Sequence, residues 1–118
     1  MTSEEYARQV GKFMLDVARR EGVATDEYAY RRLFSMAASR IMFEGRNEYS
    51  ERDDEMQAVE TKPKAALIQD IEEEVTDLVA YSVALALRDG NVKDEIKQLV
   101  FLAMQMMEIT GKIKASNE

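Results

Sequence analysis

The 118-residue chain contains no cysteine and no histidine, a single proline and five glycines. Without cysteine, neither a disulfide framework nor a thiolate metal site can form. Without histidine, the Glu-x-x-His pattern of di-iron bundles, the zinc-protease motifs and any Ser-His or Cys-His nucleophile are excluded. The glycines form no phosphate-cradling loop. No apolar run approaches the ~20 residues of a membrane span. The acidic start MTSEEYARQV lacks the basic-then-apolar order of a secretory signal, so a cytoplasmic location is expected.

What is present is globular composition: 46% hydrophobic and 33% charged residues, on a chain of a length that suits one domain, residues 1–118. A net charge of −7 argues against a sequence-independent grip on nucleic acid. The excess is segregated. Residues 44–77 hold twelve acids against four bases, a net −8, while the other 84 residues carry twelve bases and eleven acids, a net +1.

Periodicity predicts four helices and no strand, an all-α four-helix bundle. The first runs from about Ser3 to Arg20, with a Thr2–Glu5 capping box, an apolar stripe of Tyr6, Val10, Phe13 and Val17, and Gly22 as its stop. The second starts after Thr25 as N-cap, with Asp26 and Glu27 in its first turn, carries Leu33, Phe34, Ala37, Ala38 and Ile41, and extends toward Tyr49. Residues 50–63, ending in the only proline, read as an acidic loop. The third helix spans about Lys64 to Asp89, stopped by Gly90. The fourth, capped by Asn91, carries Ile96, Leu99, Val100, Ala103, Met107 and Ile113, and the tail KASNE is expected to fray. Helix four also bears Phe101, Leu102, Met104, Met106 and Ile109, an apolar width that fits a bundle completed by oligomerisation or the core of a compact monomer.

The carboxylates point to chemistry. With about 100° per residue, Glu44 and Glu48 lie about 60° and 20° from Ile41, within the apolar stripe of helix two. On helix three, Asp77 falls inside VTDLVAYSVALAL, apolar nearly all round and so expected to be buried on most faces, with Glu74 one turn earlier. A buried carboxylate must be paired, protonated or bound to a cation, and Arg88 is the one base on the rest of this helix. Glu72 reads as solvated surface complementing the helix dipole, Glu73 fits either role, and the loop acids read as solvated. If helices two and three pack antiparallel, Glu44, Glu48, Glu74 and Asp77 converge as an all-oxygen site suited to magnesium or manganese. Such an ion serves phosphate chemistry.

Two segments carry a family resemblance. EEEVTDLVAYSVALAL (residues 72–87) resembles the E-x-x-D helix of the MazG-like all-α nucleoside triphosphate pyrophosphohydrolases. FEGRNEYSERDD (residues 43–54) resembles the ligand-bearing helix end of their short, phage-type members. The usual first motif, E-E-x-x-E, is here only Glu44-x-x-x-Glu48, so the likeness is specific at helix three and weak at helix two. It implies magnesium-dependent hydrolysis of a nucleoside triphosphate to monophosphate and pyrophosphate. By that likeness Glu44, Glu48, Glu74 and Asp77 are ligands, Glu74 and Asp77 being the catalytic pair, in a homodimer or homotetramer. Arg40, Arg46, Lys64 and Arg88 are candidates for the triphosphate, and Tyr49 or Tyr81 for the base. Two competing readings stay open. One is a non-enzymatic acidic helical interaction protein, a phage-type inhibitor or regulator whose carboxylates fan over an exposed face and mimic nucleic acid. The other is a relative that keeps the fold and has lost the reaction.

Overall fold

Helix α1 (Ser3–Glu21) begins where the sequence places a cap. The Thr2 hydroxyl accepts the Glu5 N–H at 3.1 Å and the Glu5 carboxylate accepts the Thr2 N–H at 3.2 Å. It ends at Gly22, whose φ of 71° is a left-handed conformation that favours glycine, and the Val23 N–H reaches back to the Ala18 carbonyl at 2.8 Å. The computed structural model describes residues 1–44 and 61–116. Among these it contains three further α-helices, α2 (Tyr28–Ser39), α3 (Lys64–Arg88) and α4 (Lys93–Ser116), and no strand. The chain divides into two compact units, Met1–Lys62 and Pro63–Glu118.

In the first unit α1 packs on α2. The buried face of α1 overlaps the expected one only in part. Ser3 and Ala18 are buried and Ala7, Gly11, Met14 and Leu15 half-buried; of the expected stripe Tyr6 and Val10 are half-buried, while Val17 is exposed and Phe13 is 73% exposed. The face is rotated by about 90° from the Tyr6–Val17 stripe. Small residues set it, because they let the helices approach closely: a Cβ added at Gly11 would stand 2.9 Å from Cε2 of Phe34. The Phe34 ring in turn stacks on Tyr30, with centroids 6.2 Å apart. Helix α2 starts at Tyr28 rather than just after Thr25, since the Glu27 N–H bonds the Ala24 carbonyl at 3.1 Å and draws Thr25 and Asp26 into a turn. It passes at Arg40 into a π-helical turn, Arg40–Glu44, in which Ile41 is buried. The expected extension to Tyr49 and most of the acidic loop lie outside the described residues.

The second unit is an antiparallel hairpin of α3 and α4. Asp89 leaves the helix with an extended backbone, and its carboxylate accepts the Asn91 N–H at 3.0 Å, shaping a 3₁₀ turn at Gly90–Val92. Asp89 thus does the local capping expected of Asn91, because its side chain reaches the N–H two residues on.

Both helices bury a strict heptad stripe. On α3, Ile68, Val75 and Ser82 are buried, with Glu72, Val79 and Ala86 half-buried between them. On α4, Ile96, Ala103 and Thr110 are buried and Val100 half-buried. Spacings of three and four keep one narrow seam facing the partner helix over its whole length. Within this unit most of the surface outside that seam is exposed, with Leu78 half-buried beside it. Helix α3 is therefore not buried on most of its faces: Tyr81 is 77% exposed, and Leu85 and Leu87 are exposed as well.

Two measurements check this packing. Ala103, 2% exposed, has no room to grow, so Ala103→Leu should cost about 1–3 kcal/mol in urea denaturation. Gly11→Ala should gain about 1 kcal/mol of helix propensity in a Phe34→Ala background. In the native background the gain should be smaller by at least about 0.5 kcal/mol, the coupling expected of touching residues. Equal gains in both backgrounds would mean that the ring does not pack there.

Candidate functional site

Helix α3 carries the acidic run, and its geometry sorts the carboxylates. Ile68, Glu72, Val75 and Val79 share the seam, so Glu72 faces α4. Its Oε1 accepts from Lys114 Nζ at 2.6 Å and its Oε2 from the Thr110 hydroxyl at 2.8 Å, with 22% of the side chain exposed. The expectation of a merely solvated Glu72 gives way to a residue that ties the open end of the hairpin. The signal was legible as spacing: Glu72 stands four residues after Ile68 and three before Val75. Lys114 and Ser116, placed by the sequence reading in a frayed tail, are helical.

The Lys114 ammonium, and after it the Thr110 hydroxyl, hold the Glu72 carboxyl below its ordinary value of 4.5, against a smaller opposing effect of burial.

Glu73 lies on the next flank and accepts from Gln69 Nε2 at 3.1 Å, an exposed one-turn contact. Glu74 and Asp77, one turn apart, are both exposed and have no hydrogen-bond or ion-pair partner among the described residues. The expected desolvation of Asp77 is thus not present, because the surrounding apolar residues themselves face solvent. Glu74 falls within an outer stripe of α3, three residues after Ile71, four before Leu78 and seven before Tyr81. Among the described residues no three acidic side chains converge as a cation cluster.

The remaining expected site residues divide by unit. Glu44 is the last residue of the π-helical turn of the first unit. Arg46, Glu48 and Tyr49 lie outside the described residues. Lys64 is the exposed first residue of α3, and Arg88 the exposed last. No described helix is long and apolar enough to cross a membrane.

No family model, curated protein or solved structure matches the chain.

The Glu72 contacts set a pH dependence. A carboxyl with a depressed folded-state pKa contributes stability above its unfolded value and loses it as pH falls through the folded value. The hairpin should therefore weaken as pH drops below about 4.5, and less so at high salt, where the pair is already screened. Glu72→Gln should lower the melting temperature at pH 7 and flatten this acid limb, followed by circular dichroism. An acid limb unchanged in the variant would assign it to other carboxyls.

Proposed function

We propose that the chain is a hydrolase acting on acid anhydrides, converting a nucleoside triphosphate to its monophosphate and pyrophosphate with magnesium or manganese. The reading rests on the likeness of residues 72–87 to the E-x-x-D helix, with Glu74 and Asp77 at its two acidic positions. They stand one turn apart on a long helix, open to solvent and without partners among the described residues.

Two carboxylates fit magnesium in particular. That ion keeps several waters and is commonly held by one or two protein carboxylates together with substrate phosphates, so an all-protein cage is not required. Of the four expected ligands, the reading rests on these two. When bound, the ion polarises a phosphoryl oxygen and acidifies an attacking water. Water oxygen then joins the α-phosphorus while the bond to the β-phosphate oxygen breaks. A carboxylate that does not hold the ion would accept the water proton, and pyrophosphate leaves. Tyr81, on the same side of α3 as Glu74 and open to solvent, offers a ring on which a base can stack. Lys64 and Arg88 are the cationic groups at the two ends of this helix.

The exposure of these same acids also favours the second reading, a non-enzymatic acidic helical interaction protein. Turnover separates them. With magnesium present, the protein should release pyrophosphate from at least one member of a nucleoside triphosphate panel. Glu74→Gln and Asp77→Asn should each lower kcat/KM at least about 100-fold, as befits the loss of a group worth several kcal/mol, with helicity retained. No turnover across the panel, together with no change in melting temperature on adding magnesium or manganese, would leave the interaction protein as the better account.

A further inference from the structure

The buried seam of α4 stops short of the helix end. Thr110 is its last buried residue, and residues 111–116 are helical but exposed throughout. Gly111 stands at that boundary. Glycine inside a helix weakens it relative to alanine, and close packing is a common reason to keep one there. Packing does not explain Gly111, because a Cβ built on it meets no atom within 4 Å.

One side chain of α3 reaches both sides of this glycine. The Glu72 carboxylate accepts from the Thr110 hydroxyl at 2.8 Å, just before it, and from Lys114 Nζ at 2.6 Å, on the turn that follows. Thr110 is fixed by burial, whereas the Lys114 side chain is half exposed. By the same register Ile68, one turn before Glu72, is buried level with the last turn of α4, where the seam ends.

We infer that residues 112–116 are a strap that opens and closes as one unit about Gly111, with the Glu72–Lys114 ion pair as its latch. Two features favour a unit over residue-by-residue fraying. No side chain of the strap is buried, so no packing step holds one of its residues apart from the rest. The charge-assisted contact to α3 is made from the middle of the strap, so the residues on either side of Lys114 are held or released with it. Opening frees both ion-pair partners to water and lays bare the end of the seam at Ile68. The chain turns at the position where glycine gives the backbone most freedom. Glu74 and Tyr81 lie on another side of α3 and stay open to solvent in both states, so the strap does not depend on the catalytic reading.

Amide hydrogen exchange of the full chain, followed residue by residue by NMR, tests this. The amides of residues 112–116 should share one protection factor, at least about 10-fold below that of Val100 and Ala103, as a sub-global opening requires. Glu72→Gln and Lys114→Met should each lower the strap's protection about 10-fold, the loss of one charge-assisted hydrogen bond, and leave Val100 and Ala103 unchanged. Gly111→Ala should raise it about 5-fold. Glu73→Gln, which breaks a contact within α3 only, should change nothing. Protection that falls steadily toward Ser116 and ignores either latch variant is simple fraying and overturns the inference. Equal loss of protection at Ala103 overturns it too, since the ion pair would then hold the whole hairpin and not a separate strap.

Discussion

A narrow seam between two antiparallel helices governs the second unit. Side chains at alternating spacings of three and four must meet across it, and between the isoleucines Ile68 and Ile96 the residues that do so are mostly modest in size: Val75, Ser82 and Ala86 from α3, Val100 and Ala103 from α4. Small side chains let the helices approach, but they bury little area, and burial is the main source of folding free energy. A hairpin built this way leaves most of its larger apolar residues outside the seam. The exposed leucines, isoleucines and methionines of α3 and α4 are thus a direct result of where the seam falls.

The same constraint decides the fate of each acid in the run at residues 72–77. Consecutive helical positions differ by about 100°, so three successive glutamates cannot share an environment. Glu72 meets Lys114 and Thr110 across the seam, Glu73 meets only a neighbour on its own helix, and Glu74 lies in the outer stripe. A polar contact at one end of a mostly apolar seam also fixes register, since sliding one helix by a turn would separate its members.

The helix content, the Thr2–Glu5 cap, the Gly22 stop and the start of α3 after Pro63 were all legible in the sequence, because each is set by local chemistry within a few residues. Choice of face was harder. On α1 the large residues Tyr6, Val10, Phe13 and Val17 suggest one stripe, but close approach at Gly11 selects a face of smaller residues. On α3 the apolar run after Val75 suggests burial all round, whereas a single neighbouring helix covers only one side. Composition tells how much surface is apolar; it does not tell how many neighbours arrive to cover it. The one-turn spacing of Glu74 and Asp77 was legible, and their electrostatic environment was not, since that depends on those neighbours.

The methionines of α4 give the outer surface a chemical vulnerability. Met104 and Met106 stand open on opposite flanks of that helix. Oxidants convert such thioethers to sulfoxides, which are polar and carry a new stereocentre, and reductases can reverse the change. Sulfoxide at Met106 would put a polar group into the exposed stripe of leucine and isoleucine, whereas at Met104 it would alter only the other flank. Oxidative damage to this protein would thus have different consequences at two sulfur atoms only two residues apart.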